Sequence, residues 1–101
     1  MLRPVVYIET NRKNGTLYTG MTGNLPARHS QHLSGTGSQF CKKYELKYLV
    51  WYEFLPTIQE AIKREDYIKD RNRAYKIGLI LKMNPDWTDL SSHLQDMGYN
   101  L

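Results

Sequence analysis

The stretch VVYIETNRKNGTLYTG, residues 5–20, decides the fold of this chain. Its first part, Val5 to Glu9, is rich in β-branched and aromatic residues, which favour strands. The turn-forming run from Asn11 to Gly15 follows, and Thr16 to Thr19 again has strand character. The stretch therefore predicts a β-hairpin.

A short helix is expected directly after the hairpin. Gly20 and Gly23 are predicted to break the second strand, and Asn24 is a suitable N-cap because its side chain can accept a backbone N–H. The pattern predicts a helix from Leu25 to about Leu33. Residues 34–38 are then a loop by composition.

The most apolar segment lies in the middle of the chain. Leu46 to Phe54 is too uniformly apolar for a strand with one solvent-facing side, so we predict a well-covered strand. Before it, Gln39 to Tyr44 is compatible with a brief helical turn.

Two helices are predicted after this third strand. The run from Thr57 to Glu60 has the form of a capping box and opens a helix that continues to about Asp70. The helical pattern is interrupted at residues 71–73 and resumes from Ala74 to Met83. Asn84, followed by proline, ends it.

The length and the element order set the fold class. With 101 residues, the chain is expected to form one domain. Trp87 is the expected anchor of a tail that is compatible with one loose helix to Met97. The order ββαβαα indicates an α/β (α+β) layered domain with a small sheet, mixed or antiparallel.

The charge and composition favour some classes of protein over others. A net charge of +4 and a pI near 9.2 suit contact with a polyanion, although a mildly basic solvated surface is an equal alternative. No stretch approaches the roughly 18 apolar residues that a membrane helix needs. The N-terminus lacks the pattern of a secretory signal, and the single Cys41 cannot form an internal disulfide. We therefore expect a cytoplasmic protein without membrane association.

Glu65 breaks the pattern of its helix. The apolar stripe of that helix consists of Ile58, Ala61, Ile62 and Ile68, which places Glu65 on the face that should be buried. A buried carboxylate is costly without a cation or an opening onto a cleft. A salt bridge to a nearby Arg or Lys and a metal ligand are the two interpretations.

Arg28 and His32 form a second candidate group. They are four residues apart, so they share one face of the first helix. A guanidinium binds phosphate oxygens and an imidazole exchanges protons near neutral pH, so the pair suits phosphate chemistry. The alternative is a solvent-facing pair, and His29 is a competing candidate whose spacing points it elsewhere.

Tyr7 and Tyr18 lie on the two arms of the hairpin. A short turn makes them direct or diagonal cross-strand neighbours on one face, so the two phenols are expected to meet. Because the chain contains eight tyrosines, ordinary core packing with the hydroxyl at the edge is the alternative.

Taken as a set, these residues resemble a known family. The order and spacing are similar to those of the GIY-YIG nuclease superfamily, through Val5-Val6-Tyr7, Tyr18-Thr19-Gly20, Arg28 with His32, and Glu65. The resemblance covers residues 4 to about 90 and leaves 91–101 as a tail, within one domain of residues 1–101. The ending from Asn84 to Leu90 looks like that of the small stand-alone bacterial branch. The first motif departs from the family because it lacks its glycine.

The resemblance implies a three-stranded antiparallel sheet flanked by helices and a catalytic site of five residues. Glu65 would hold one divalent metal ion, Mg²⁺ or Mn²⁺. Tyr7, with help from His32, would be the general base that activates water. Tyr18 and Arg28 would engage the scissile phosphate.

Two further positions are expected to support the site. The family's late asparagine corresponds to Asn84, with Asn72 as the alternative. Gly20 belongs to the second motif.

The expected activity is that of a metal-dependent endonuclease that hydrolyses phosphodiester bonds in DNA, in DNA repair or recombination. The alternative is a non-catalytic nucleic-acid-binding module on the same fold, and a third hypothesis is a protein-interaction role. The expected partner is nucleic acid, with DNA preferred, and no protein partner is indicated.

Overall fold

The sheet is built around one strand that is buried along its whole length, β1 (Val5–Thr10). A computed structural model describes residues 3–37 and 39–97. The other strands are β2 (Leu17–Thr22) and β3 (Tyr48–Phe54). The helices are α1 (Leu25–Ser34), α2 (Gln39–Tyr44), α3 (Ile58–Lys69), α4 (Arg73–Met83) and a final 3₁₀ helix (Leu90–Met97).

The sheet confirms the predicted hairpin and its antiparallel form. The strand order is β2-β1-β3, and β1 pairs antiparallel with both neighbours. Tyr7 lies opposite Gly20, and Glu9 lies opposite Tyr18. Tyr7 and Tyr18 are therefore diagonal neighbours on one face, as the hairpin predicted.

Gly20 does not break the second strand, contrary to our expectation, because β2 continues through it to Thr22. A Cβ atom at Gly20 would lie 2.6 Å from the Tyr7 hydroxyl oxygen and 2.7 Å from its Cζ. The missing side chain therefore makes room for the phenol of Tyr7, which crosses the β2 backbone at this point. Gly20 is a packing requirement rather than a strand terminator.

Strand β3 contains a bulge that explains its run of buried residues. Ile8 pairs with Trp51 but Glu9 pairs with Leu49, so Val50 is the extra residue. Val50 and Trp51 therefore share a face, where both pack in the same apolar cluster. The predicted cover is confirmed for the middle of the strand, whereas Tyr48 is 46% exposed.

The helix ends follow the predicted capping. The side chain of Asn24 accepts the Ala27 N–H at the start of α1, and the side chain of Thr57 accepts the Glu60 N–H at the start of α3. Asn72 caps α4 by accepting the Tyr75 N–H. The brief helical turn after the loop is a complete short helix, α2, so the order is ββααβαα before the 3₁₀ helix. Ser38, in the predicted loop, lies outside the described residues.

The predicted apolar stripe of α3 is wrong in part. Ala61 and Ile68 are fully buried, but Ile58 is 37% exposed and Ile62 is 46% exposed. The helix contacts the sheet through a narrow line of side chains, which leaves Ile58 and Ile62 facing outward. Ala61 packs in one apolar cluster with Val6 and Ile8 of β1.

Each face of the sheet carries its own apolar cluster. One contains Val5, Tyr7, Leu25, Leu49, Leu90 and Leu94. The other contains Val6, Ile8, Val50, Trp51, Ala61, Ile68, Ile80 and Trp87. Alternation along β1 directs its odd-numbered residues towards α1 and its even-numbered residues towards α3 and α4.

The C-terminal segment is more closely packed than predicted. Trp87 is buried, which confirms it as an anchor, and Leu90 and Leu94 join the cluster beneath α1. The core therefore extends beyond residue 90, where the sequence placed its limit. The predicted domain ends, residues 1, 2 and 98–101, lie outside the described residues. Within the described chain, no helix is long and apolar enough to cross a membrane.

Replacement of Gly20 tests the close contact with Tyr7. We expect Gly20→Ala to lower the free energy of unfolding by about 1–3 kcal/mol, because the new methyl group must displace a buried ring. Gly78→Ala is the matched control, since no atom lies within 4 Å of a Cβ built there. In the middle of α4 it should raise stability by about 0.5–1 kcal/mol. Urea unfolding measures both, and equal stabilities for the two variants would contradict the contact.

Candidate active site

Two tyrosines from the hairpin form the centre of the candidate site. The rings of Tyr7 and Tyr18 have their centroids 6.3 Å apart. Tyr7 is 1% exposed, whereas Tyr18 is half-buried at the edge of the sheet. The hairpin register fixes this pairing, because residues on one face repeat every second position.

Helix α1 places an imidazole against both phenol rings. The centroid of His32 lies 6.1 Å from that of Tyr7 and 5.7 Å from that of Tyr18, which it meets edge-on. The helix ends soon after His32, at Gly35, which has the left-handed φ of 78° that glycine tolerates best. The three aromatic side chains predicted from the sequence are therefore in one place.

The fourth member of this group, Glu9, is one that the sequence analysis did not identify. It is completely buried, and its Oε1 lies 2.6 Å from Nδ1 of His32. The signal was present in the sequence, because Glu9 shares the face of β1 that carries Val5 and Tyr7. A carboxylate on that face of a central strand needs a polar partner.

The interpretation of His29 is corrected. Its ring was expected to point elsewhere, but it is 3% exposed and its Nδ1 lies 3.4 Å from Oε2 of Glu9. His29 and His32 are three residues apart and therefore lie on the same side of the helix. The two imidazoles face the two oxygens of one buried carboxylate.

The position of Tyr7 makes its phenol difficult to ionise. Burial is the main cause that raises the pKa of Tyr7 far above its usual value, and the neighbouring Tyr18 and Glu9 raise this pKa further. The charge of Arg28 acts in the opposite direction. Tyr7 is therefore a neutral phenol in the resting site.

Arg28 completes the group that the structure brings together. It lies one helical turn before His32, is partly exposed, and is close enough to act on the pKa of Tyr7. Its guanidinium is therefore able to reach a ligand from solvent while remaining next to the phenol.

Glu65 is the predicted site residue that neither the hairpin nor α1 supplies. It belongs to α3, whose buried residues Ala61 and Ile68 pack on the opposite face of the sheet from α1. The side chain of Glu65 is 18% exposed and forms an ion pair of 3.5 Å with the half-exposed Lys69. Among the described residues, no hydrogen bond or ion pair joins Glu65 to Tyr7 or His32.

Glu65 nevertheless suits a simple metal site. Residues 3–37 and 39–97 contain no group of three or more His, Cys, Asp or Glu side chains that could hold a metal ion. Magnesium, however, is often bound by one or two carboxylates, with water and substrate phosphates as the other ligands. The Glu65 carboxylate is partly exposed, and its ion-pair partner Lys69 is half-exposed, so Glu65 is a group of that kind.

The two asparagines have local structural roles. The amide nitrogen of Asn84 donates to the carbonyl oxygens of Val50 and Thr88, at 3.2 Å and 2.7 Å. Its amide oxygen accepts the N–H and the hydroxyl of Thr88. Asn84 therefore ties the end of α4 to β3, and Asn72 caps the start of α4. Neither side chain hydrogen-bonds to the group around Tyr7 in the described part of the chain.

Basic and aromatic side chains lie beside His32. A cavity of about 230 Å³ is bordered by His32, Lys42, Lys47 and Glu45. Phe40 and Tyr44 of α2 are 42% and 38% exposed, and the ring centroid of Phe40 lies 5.9 Å from that of Tyr18. Exposed rings next to lysines are typical of surfaces that contact nucleic acid.

Comparison with known proteins places this chain in a family. The model of the GIY-YIG catalytic domain matches residues 3–77. A UPF0213 protein from Clostridium perfringens is 40% identical over 68 residues, which are 67% of this chain and 73% of that protein. A UPF0213 protein from Staphylococcus haemolyticus is 36% identical over 80 residues, or 79% of this chain and 96% of that protein.

A solved structure supports the same fold. The solution NMR structure of a UPF0213 protein from Bacillus halodurans has a TM-score of 0.55 and 24% identity. The match covers 98% of this chain and 100% of the Bacillus halodurans chain. Together with the family model and the relatives, this likeness shows that the chain belongs to the GIY-YIG family and is similar to its small UPF0213 proteins.

Proposed function

We propose that the chain is a metal-dependent endonuclease that hydrolyses phosphodiester bonds in DNA. The observation that carries this proposal is the meeting of Tyr7, Tyr18 and His32, with ring centroids 5.7–6.3 Å apart. Arg28 adds a partly exposed cation to the same group. The GIY-YIG catalytic domain is a nuclease domain, which supplies the reaction class.

The cation and the phenols have separate tasks in this proposal. Arg28 binds the non-bridging oxygens of the scissile phosphate and stabilises the charge that grows on them. Tyr18 donates a hydrogen bond from its hydroxyl to the same phosphate. Its partial exposure suits contact with a substrate that arrives from solvent.

Tyr7 and His32 handle the proton of the attacking water. Because burial raises the pKa of Tyr7, a free phenolate is an unfavourable general base. A concerted transfer avoids the phenolate: in the substrate complex Tyr7 takes a proton from water while its own proton passes to Nε2 of His32, a nitrogen without a hydrogen-bond partner among the described residues of the resting site. The proton released by water therefore ends on the imidazole, and Tyr7 is neutral before and after the step.

Glu65 is the proposed ligand of one divalent ion, Mg²⁺ or Mn²⁺. When bound, the ion supplies Lewis-acid stabilisation of the phosphate charge and of the leaving oxygen. Lys69, the present partner of Glu65, is half-exposed and can turn towards solvent or towards a phosphate. Helix α3 contacts the edge strand β2, which carries Tyr18. This position is compatible with one DNA substrate that contacts both Glu65 and Tyr18.

DNA is the proposed partner, and DNA repair or recombination the proposed setting. The basic side chains beside His32 and the net charge of +4 support a polyanion as the ligand. The second candidate is a nucleic-acid-binding module without catalysis. It is favoured by the ion pair of Glu65 with Lys69, which satisfies the carboxylate without a metal ion.

Replacement of Glu65 tests the catalytic proposal. We expect Glu65→Gln to lower the rate of DNA nicking in Mg²⁺ or Mn²⁺ by on the order of 100-fold or more, as for loss of one group that stabilises a transition state. Asp66→Asn is the matched control, because Asp66 is the exposed next residue of the same helix. It should retain the wild-type rate.

The measurement is a plasmid-nicking assay, extended to single-stranded and branched DNA and to RNA. Wild-type activity no higher than that of Glu65→Gln on every substrate would contradict the endonuclease. Salt-sensitive binding that survives both Glu65→Gln and Tyr7→Phe would then favour the binding module.

The neutral state of Tyr7 is tested by stability at alkaline pH. An unfolded tyrosine ionises above about pH 10, whereas folded Tyr7 keeps its proton, so the folded state binds more protons and loses stability as pH rises. Relative to Tyr7→Phe, the wild-type free energy of unfolding should fall by up to about 1.4 kcal/mol for each pH unit above 10.

Urea unfolding between pH 9 and 11.5 measures this difference. Tyr67→Phe is the control, because Tyr67 is 47% exposed and its removal should leave the wild-type pH dependence unchanged. If the free energy of unfolding changes with pH in the same way for the wild type and for Tyr7→Phe, then Tyr7 ionises as easily in the folded protein as in the unfolded chain.

A further inference from the structure

The strongest unassigned feature is the buried group formed by Glu9, His29 and His32. All three side chains are at most 4% exposed, and the carboxylate comes from the central strand while both imidazoles come from α1. Neither the family match nor the proposed reaction gives a role to Glu9. A charged group in this position requires a partner that shares a proton with it.

The contact between Glu9 and His32 has the geometry of a strong hydrogen bond. Its length, 2.6 Å between Oε1 and Nδ1, is short even for a charge-assisted bond. An ionised Glu9 carboxylate has no proton to donate, so in that state Nδ1 of His32 is the donor and carries the proton. The bond therefore selects one tautomer of the imidazole.

The other ring nitrogen of His32 is consequently a free acceptor. Nε2 is buried and has no hydrogen-bond partner among the described residues. Gly37 packs over this edge of the ring, where a Cβ would lie 2.3 Å from Cδ2 and 3.1 Å from Nε2. The nearest aromatic neighbours are Tyr7 and Tyr18, so the basic nitrogen belongs to the ring that meets both phenols.

The imidazole of His29 lies farther from the Glu9 carboxylate than the imidazole of His32 does. Nδ1 of His29 lies 3.4 Å from Oε2, and neither atom forms a hydrogen bond within the described residues. One oxygen of Glu9 thus holds His32, while the other lies near His29 with its accepting capacity unused. Of the two imidazoles, only that of His32 is oriented by a hydrogen bond to Glu9 among the described residues.

We propose that Glu9 is a positioning residue for the proposed reaction: it holds His32 with the proton on Nδ1 and leaves Nε2 to receive the proton released by the attacking water. This inference rests on the proposed function for its consequence in catalysis. When Nε2 takes that proton, the ring becomes an imidazolium whose positive charge lies against the Glu9 carboxylate. A carboxylate that orients and stabilises a catalytic imidazole is a known physical device in hydrolases.

A purely structural role is the competing explanation. In that case Glu9 only joins β1 to α1, and any hydrogen-bonding side chain of the same shape would serve. Glu9→Gln separates the two explanations, because its carbonyl can still accept from Nδ1 but its amide can also donate to a ring nitrogen. The glutamine keeps the link between strand and helix and removes the selection of the tautomer.

The tautomer of His32 is measured first, on the full wild-type chain without metal or DNA. The ¹⁵N chemical shifts of the ring report which nitrogen carries the proton when the ring is neutral. We expect the proton on Nδ1 and the lone pair on Nε2. A neutral His32 with its proton on Nε2 overturns the proposal, whatever the nuclease activity.

The Glu9→Gln variant is measured next. We expect a population of His32 with the proton on Nε2, and a kcat for DNA nicking about 10- to 100-fold lower with KM unchanged, by analogy with the loss of a hydrogen-bond partner behind a metal-binding histidine. Glu53→Gln is the matched control. It makes the same substitution in the same sheet and alters only the surface ion pair with Arg64.

The outcomes separate this proposal from the proposed function. If Glu9→Gln keeps both the wild-type tautomer and the wild-type kcat, Glu9 is structural and the proposal is wrong. If Glu9→Gln does not fold, the wild-type tautomer still tests the proposal, because a neutral His32 with its proton on Nε2 overturns it. If the wild type cuts no nucleic acid, the endonuclease fails, whereas the ring shifts still show whether Glu9 selects the tautomer.

Discussion

The burial of β1 on both of its faces is the constraint on which the rest of the molecule depends. Every residue of this strand is buried, so each side chain must find its partner inside the protein. Val6 and Ile8, at even positions, pack in one apolar cluster with residues of α3 and α4. Residues at odd positions meet α1, and there Tyr7 and Glu9 introduce polar atoms that must be satisfied by histidines and neighbouring phenols.

The difference between the two faces of β1 explains why the candidate site lies on the side of α1. An interior that contains a carboxylate and two imidazoles is less favourable than a purely apolar one unless the groups pair well. The short hydrogen bond between Glu9 and His32 meets that requirement for one oxygen of Glu9, whereas the other oxygen and Nδ1 of His29 have no hydrogen-bond partner among the described residues. Arg28, one turn earlier, projects towards solvent beside Tyr7. The contact of Glu9 with His32 thus links β1 to α1 at the candidate site.

Sequence reasoning found the elements and the main site residues because these depend on local rules. Asn24, Thr57 and the hairpin turn act within a few residues of one another, and Arg28, His32 and the two tyrosines follow from spacing and resemblance. The role of Glu9 and the inward position of His29 depend on how α1 lies on the sheet, which no local pattern records. The exposure of Ile58 and Ile62 has the same cause, because the line of contact between a helix and a sheet is narrower than an apolar stripe. Gly20 was misread because the rule that glycine weakens strands ignores the ring that lies across it.

The bulge in β3 has a consequence for how such a strand can change during evolution. Leu49 lies on the α1 side, Val50 and Trp51 lie on the opposite side, and Tyr52 returns to the first. Loss of one residue here would remove the bulge and keep every flanking side chain on its own face. Loss of one residue elsewhere in β3 would exchange the two faces for part of the strand. The sheet can therefore accept deletion of Val50 alone. At the neighbouring positions of β3, residues can be deleted or inserted only two at a time.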